Sequence, residues 1–304
     1  MGTGKLIMDS FSLILQLIIT GITIGCIYAM VAVGFNIIYN VTEIINFAQG
    51  EFVMLGGLIM VTLRTTVNMP LFLAFILTVA IVMGIGILID TIAIKPIRQP
   101  SVISLIIATI AVSIFVKGSA MIGWGKNPYD LDAFSGREPI SFFGAIIQPQ
   151  ALWVMGLLIV IVVFLSIFFE KSIYGKAMKA CADNIEAARL KGINVRGMVL
   201  FSFALSAGIG AMAGMVITPI ALMEYDRGTM LAVKGFGALI LGGLGSFPGA
   251  IIGGLIIGLI ESLGAGLLSS GYKDAFALLV LMAVLYSRPS GILGNAAIAK
   301  TKKF

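Results

Sequence analysis

Long apolar segments separated by short polar connectors occupy most of this 304-residue chain. An apolar run of about 20 residues is long enough to cross a bilayer as a helix. The pattern therefore predicts an all-α, polytopic membrane helix bundle with eight or nine spans, in which residues 1–304 form a single transmembrane domain. The nine apolar runs lie at residues 11–39, 47–63, 70–94, 101–123, 150–169, 197–223, 231–245, 248–268 and 275–287.

Two of these runs, at 47–63 and 231–245, are short and rich in glycine, so we expect broken or re-entrant segments there. Non-helical backbone is tolerated inside a membrane where protein buries it or where it lines a cavity. A pair of interruptions in the two halves of a chain is typical of a central transport pathway. The alternative is tight helix packing, because Gly245, Gly249 and Gly253 recur at every fourth residue.

Composition agrees with a membrane protein and excludes several chemistries. Hydrophobic residues make up 59% of the chain, and the mean hydropathy is +1.10. The chain has no histidine, which excludes imidazole catalysis and imidazole metal sites. The two cysteines predict no disulfide framework, and no phosphate-binding G-x-x-x-x-G-K-[ST] motif occurs. The net charge of +6 is explained by basic cytoplasmic loops rather than by nucleic-acid binding.

The distribution of basic residues predicts the orientation. Cytoplasmic loops of membrane proteins carry an excess of Lys and Arg. The loop at 171–196 and the tail after the last run are therefore placed in the cytoplasm, and the loop at 124–149 outside. Nine spans then put the N-terminus outside and the C-terminus inside, whereas eight would move one terminus. The basic residues assigned to the cytoplasm are Lys95, Arg98, Lys171, Lys176, Lys179, Arg189, Lys191, Arg196, Arg288, Lys300, Lys302 and Lys303.

The basic loop at 171–196 contains a short predicted helix over 183–191. Asp183 or Asn184 would be its N-cap, and Gly192 would end it. Such a capped helix between two spans suits docking to a cytoplasmic partner, although an ordinary connector is the alternative. The candidate docking residues are Asp183, Asn184, Glu186, Ala187, Ala188, Arg189 and Gly192.

Polar residues between the first two runs are candidates for a pathway through the membrane. A carboxylate or amide near the membrane interior is costly unless it faces protein, water or a substrate. The alternative is a polar turn at the cytoplasmic surface with Glu43 in solvent. The candidate pathway residues, which include glycines of the second interruption, are Asn46, Gln49, Gly50, Glu51, Gly242, Gly243 and Gly245.

Two further charges lie in apolar runs near the end of the chain. We expect Lys234 either to extend to the membrane surface or to pair with Glu224 or Asp226. We expect Glu261 to make an interhelical hydrogen bond or to face a vestibule, rather than to bind substrate.

Four segments carry a resemblance to a known family. Glu186-Ala187-Ala188 followed by Gly192 matches the EAA-x-x-x-G pattern of ABC importer permeases, although the later part of the broader consensus is absent. The other three segments are similar to LivH-type permeases of branched-chain amino acid importers, in the same order along the chain. They are GFNIIYNVTEIINFAQGEFVMLGG at 34–57, GFGALILGGLGSFPGAIIGGLIIGLIE at 235–261 and RPSGILG at 288–294.

The resemblance implies a permease subunit of an ATP-driven importer in the inner membrane of a bacterium or archaeon. It implies that this chain is not an enzyme and holds no metal or cofactor, since ATP and magnesium would bind to two partner ATPases coupled through the loop at 171–196. The other implied partners are a second, LivM-like permease chain and an extracytoplasmic binding protein that delivers a small amino acid. The alternative is a self-contained secondary transporter or channel, for which Glu51, Glu261 and Asp90 are the candidate intramembrane carboxylates.

Overall fold

The computed structural model describes residues 3–97, 101–136, 138–142 and 144–294, which are mostly helical. Arg98, Lys300, Lys302 and Lys303, which the sequence assigns to the cytoplasm, lie outside the described residues. The helices are α1 (Thr3–Thr42), α2 (Gln49–Val61), α3 (Leu71–Ile89), α4 (Val102–Trp124), α5 (Pro149–Lys171), α6 (Ile173–Asp183), α7 (Ile185–Leu190), α8 (Val195–Ala221), α9 (Arg227–Gly242), α10 (Phe247–Leu267) and α11 (Lys273–Ser287).

Smaller elements complete the chain. Two strands, β1 (Ile140–Phe142) and β2 (Ala145–Ile147), form an antiparallel hairpin between α4 and α5. Short π-helical segments continue α2 and α3, and a 3₁₀ turn precedes α11; they are Thr62–Thr66, Asp90–Ile94 and Ser270–Tyr272.

Six helical segments of the described chain are long and apolar enough to cross a membrane, which confirms a polytopic helical membrane protein. The other three apolar runs form the shorter helices α2, α9 and α11, of 13, 16 and 15 residues. The six long segments are Phe11–Thr42, Leu71–Ile94, Val102–Trp124, Pro149–Lys171, Val195–Ala221 and Phe247–Leu267.

Two hydrogen bonds identify elements that lie together at one end of the bundle. The backbone N–H of Ile146 in the hairpin donates to Gln16 Oε1 of α1 at 2.6 Å. Trp124 Nε1, at the end of α4, donates to Thr62 Oγ1 just after α2 at 2.8 Å. We call this end the hairpin side, and the opposite end, which carries the loop at 171–196, the basic side. The excess of Lys and Arg predicts that the basic side faces the cytoplasm.

The centre of the bundle is formed by α2, α8 and the second half of α1. All 13 residues of α2 are buried, including its polar first turn. The outer helices α3, α4 and α5 instead expose large apolar side chains, such as Phe72, Phe115 and Phe164. An apolar exterior around a packed interior is expected of helices that face lipid.

Glycines bring α1 and α10 into direct backbone contact. Gly21 and Gly25 of α1 lie against Gly254 and Gly258 of α10, and a methyl group added to any of them would meet backbone atoms of the other helix. Lipid tails are as apolar as the helices, so close van der Waals contact takes the place of the hydrophobic effect in holding such helices together. Glycines spaced four residues apart on each helix therefore allow α1 and α10 to pack closely.

We predict that Gly258→Ala destabilises the protein, because the new methyl group would overlap the backbone of Gly25. Overpacking of this kind costs about 1–3 kcal/mol. The matched control is Gly156→Ala on α5, where an added methyl group meets nothing within 4 Å. Thermal denaturation of the purified variants in detergent should show a lower midpoint for Gly258→Ala alone, and equal midpoints would contradict the packing role.

Candidate functional site

The first interruption lies at residues 43–48, between α1 and α2, where the sequence predicts it. Asn46 is fully buried, and its Oδ1 accepts a hydrogen bond from the Ala48 N–H at 3.1 Å. The Phe47 N–H donates to Thr109 Oγ1 of α4 at 3.2 Å. These bonds satisfy backbone N–H groups of the connector, which lies outside both helices. Glu43 is exposed, so the polar turn begins at the surface and continues into the protein.

Gln49, the first residue of α2, joins three central helices. Its Oε1 lies 2.6 Å from Ser206 Oγ of α8, and its Nε2 donates to the Ser206 carbonyl at 3.3 Å. The same hydroxyl lies 2.7 Å from the Gly34 carbonyl of α1. Gln49 therefore anchors the first turn of α2, and its place on the pathway stays a prediction.

The next two residues of α2 meet α4 and α9. Gly50 packs backbone to backbone on Gly228, where an added methyl group would overlap the Gly228 carbonyl. Glu51 is 1% exposed, and its Oε1 accepts a hydrogen bond from Ser113 Oγ of α4 at 2.8 Å. Glu51 Oε2 and Asn46 Nδ2 are both buried without a hydrogen-bond partner in the described part of the chain.

The second interruption is a turn between two separate helices rather than a gap in one. α9 ends at Gly242, and α10 begins at Phe247 with Pro248 in its first turn. Gly243 and Gly245 have φ angles of 107° and 85°, in the left-handed region that glycine adopts readily. The sequence could not separate these arrangements, since both need the same glycines and proline.

The glycines of this turn make close contacts. Gly242 packs on the backbone of Gly249, so it lies in the crossing of α9 and α10. The Gly245 N–H donates to Asn36 Oδ1 of α1 at 3.0 Å. Asn36 thus links the turn at 243–246 to the helix that leads into the first interruption. The role of Gly242, Gly243 and Gly245 in a pathway stays a prediction.

A buried ion pair joins α9, α10 and α1. Lys234 Nζ lies 2.6 Å from Glu261 Oε1, and the Tyr28 hydroxyl donates to Glu261 Oε2 at 2.8 Å. The ammonium group also lies 5.4 Å from the centre of the Tyr28 ring. The expected pairing of Lys234 with Glu224 or Asp226 is wrong, because α9 and α10 are antiparallel neighbours that bring Glu261 to it instead. The interhelical hydrogen bond expected of Glu261 is confirmed.

The basic loop folds into two short helices. Its second helix, α7, begins after Asn184, whose Oδ1 accepts a hydrogen bond from the Ala187 N–H at 2.9 Å. It ends before Gly192, which has a φ angle of 82° and donates its N–H to the Arg189 carbonyl at 3.0 Å. Asn184 is therefore the N-cap, whereas Asp183 is the last residue of α6. The sequence prediction missed α6, although the inward spacing of Gly175, Met178 and Cys181 was visible.

One side of α7 is buried against the protein, and the other side is exposed. Ala188 is 4% exposed and packs on the helix bundle, so only Ala187 of the predicted alanine pair faces outward. Glu186 and Arg189 are exposed as well. Leu190 is 89% exposed at the end of the helix. Leu190 therefore joins the candidate docking residues on the exposed side of α7, and sequence analysis overlooked it.

Comparison with known proteins identifies the family of this chain. Residues 17–285 match the family described as "Branched-chain amino acid transport system / permease component". The chain belongs to this permease family. It is 32% identical to "High-affinity branched-chain amino acid transport system permease protein LivH" of Escherichia coli (strain K12), over 96% of this chain and 99% of the relative. It is therefore a multi-pass protein of the cytoplasmic membrane, and its relatives are transport permeases rather than enzymes.

More distant similarities extend beyond amino acid transport. The chain is 27% identical to "Ribose import permease protein RbsC" of Haemophilus influenzae, over 84% of this chain and 80% of the relative. Among solved structures, a chain of "PsaBC from Streptococcus pneumoniae in complex with Fab" aligns with 96% of the permease and 94% of its own length. That alignment has 14% identity and a TM-score of 0.45, too low to bear on fold or function.

We predict that breaking the Lys234–Glu261 pair on one side is more damaging than removing both charges. Lys234→Met leaves a buried carboxylate, and uncompensated buried charges cost about 3–5 kcal/mol. Lys234→Met combined with Glu261→Gln should regain most of that stability, because glutamine still accepts the Tyr28 hydrogen bond. The check is a double-mutant cycle by thermal denaturation in detergent, in which simple additivity of the two changes would refute the coupling.

Proposed function

We propose that this permease forms half of the translocation pathway of an ATP-driven importer for branched-chain or similar small, mostly apolar amino acids. Family membership supports transport, and α7 is the observation that carries the ATP-driven part of the proposal. A capped helix with an exposed apolar tip on the cytoplasmic side suits docking to an ATPase. A secondary transporter or channel has no use for such an element.

The match of α7 to the EAA pattern assigns roles within it. Asn184 fixes the start of the helix and Gly192 its end, so the element is held as a rigid unit. Ala188 seats it on the permease, while Glu186, Ala187 and Arg189 face the cytoplasm. We therefore assign mechanical coupling to α7, with Asp183 and α6 connecting it to α5.

The assembly follows from family resemblance. It contains this chain, a second LivM-like permease, two ABC ATPases that bind ATP and magnesium, and an extracytoplasmic protein that delivers the substrate. This chain itself needs no cofactor in such an assembly. Eight or nine segments would cross the membrane if two or all three of the shorter helices α2, α9 and α11 span it together with the six longer segments.

The pathway is assigned to the region where the first turn of α2 meets α4 and α9. Asn46 and Glu51 carry buried polar atoms without a partner among the described residues, as expected of groups that meet a polar solute. Branched-chain amino acids as the substrate rest on the resemblance and the names of the relatives. The ribose relative belongs to a system for a different solute, which makes substrate identity the first matter to test.

We predict that Leu190→Asp and Glu186→Lys abolish most ATP-driven uptake of L-leucine by the reconstituted importer. Both side chains are exposed, so neither change removes contacts within the permease, and the protein should insert normally. The matched control is Glu170→Lys, which makes the same charge reversal on an exposed residue of α5 outside α7. The measurement is leucine uptake with ATP hydrolysis recorded in parallel.

Co-purification identifies the partners in the same preparation. The tagged permease should retain two ATPases and a second polytopic chain in mild detergent, and Leu190→Asp should release the ATPases. Normal uptake by both α7 variants would remove the coupling assignment. A permease that purifies alone and transports leucine without ATP would overturn the importer in favour of a secondary transporter.

A further inference from the structure

The helices around Glu51 leave part of its hydrogen-bonding capacity unused. Its carboxylate is 1% exposed, and only one of its two oxygens has a hydrogen-bond partner among the described residues. A buried carboxylate oxygen without a partner carries a large desolvation cost. Three elements enclose it, namely α2, α4 and the start of α9, so the unused oxygen points into the protein rather than toward lipid.

The opposite charge nearby comes from α4. Ser113 and Lys117 are four residues apart on this helix and therefore lie on the same face. Ser113 donates to Glu51 Oε1 at 2.8 Å. Lys117 is near enough for its charge to attract Glu51, yet its ammonium group donates to Thr229 Oγ1 of α9 at 3.4 Å. Lys117 thus lies on the face of α4 that contacts Glu51, and its ammonium group lies at the start of α9.

The remaining neighbours do not neutralise Glu51. Asp226, just before α9, repels a carboxylate at this position, although its own side chain is exposed. Gly228, also on the α9 side, contributes only backbone at its contact with Gly50. In the described part of the chain, the positive charge that acts on Glu51 comes from Lys117, which already contacts Thr229, so the unused Glu51 oxygen can accept hydrogen bonds from an added cationic group.

We propose that Glu51 and Lys117 form a binding subsite for the head group of an α-amino acid on the transport pathway. The unused oxygen of Glu51 accepts hydrogen bonds from the substrate ammonium group, and Lys117 faces the substrate carboxylate. An uncharged solute such as a sugar has neither group, so this subsite selects zwitterions. It does not discriminate between the side chains of different amino acid substrates. The inference rests on the proposed transport function.

The subsite is closed in this structure, and the helix contacts indicate how it opens. The start of α2 and the start of α9 touch backbone to backbone through Gly50 and Gly228, with Ala232 and Met54 beside the contact. Separation of α9 from α2 and α4 would break the long Lys117–Thr229 hydrogen bond and expose Glu51. Access to Glu51 in this arrangement therefore requires α9 to move away from α2 and α4.

We predict that Glu51→Gln lowers uptake of radiolabelled L-leucine by the complete reconstituted importer about tenfold or more, the effect of one lost charge-assisted hydrogen bond. Lys117→Met should lower it similarly, whereas Glu51→Asp and Lys117→Arg should retain more activity. The control is Asp90→Asn, which neutralises another buried carboxylate away from the subsite and should transport normally. Size-exclusion chromatography verifies that every variant assembles.

A labelling experiment separates recognition from a purely structural role. Ser113→Cys places a thiol beside Glu51, while the native Cys26 and Cys181 are buried and supply only background. In the assembled importer turning over ATP, a cationic methanethiosulfonate reagent should react faster than an anionic one, and leucine should slow the reaction. Adding Glu51→Gln should remove both effects.

The outcomes distinguish the subsite from the function on which it rests. If the unsubstituted importer takes up leucine with ATP but Glu51→Gln matches it, the subsite is wrong and the importer stands. The subsite is also overturned if Ser113→Cys is not labelled, or if its labelling rate depends neither on reagent charge nor on leucine. If the unsubstituted importer fails to transport leucine, the proposed function itself fails.

Discussion

The need to pair backbone groups inside a membrane governs this structure. A helix that ends within the bilayer leaves N–H and carbonyl groups without partners, and lipid supplies none. The first interruption obtains its partners from Asn46 and from Thr109 of a neighbouring helix, and the second from Asn36 and Ser246. Polar side chains therefore gather at the interruptions because the backbone requires them, and the candidate site occupies the same region.

Backbone contact between helices supplies the rigidity that holds those polar groups in place. The crossings of α1 with α10, of α2 with α9 and of α9 with α10 all bring main chain onto main chain at glycines. Few side chains separate these helices, so a small displacement of one helix displaces the next. The ion pair between Lys234 and Glu261 strengthens the same group of helices near the middle of their length.

The sequence predicted the features that depend on local pattern. The long spans, the glycine spacing, the interruption before Gln49 and the capped helix around Glu186 all follow from periodicity, small residues and capping residues. It could not predict features set by neighbours distant in the chain. Lys234 pairs with Glu261 because α10 folds back on α9. Gln49 is hydrogen-bonded to Ser206, which lies 157 residues away in the sequence. Ser113, Lys117 and Leu190 escaped notice because each is a single polar or apolar residue in a run of the opposite kind.

The ion pair between α9 and α10 has a consequence for biogenesis. A lysine at the centre of a transmembrane helix opposes insertion by about 2.5–3.5 kcal/mol, and α9 is a short helix with little apolar surface to offset that cost. Four residues, 243–246, separate α9 from α10. The two helices therefore enter the membrane most easily as one hairpin that is already neutral, so the translating chain must expose both of them to the insertion machinery before either is released into lipid.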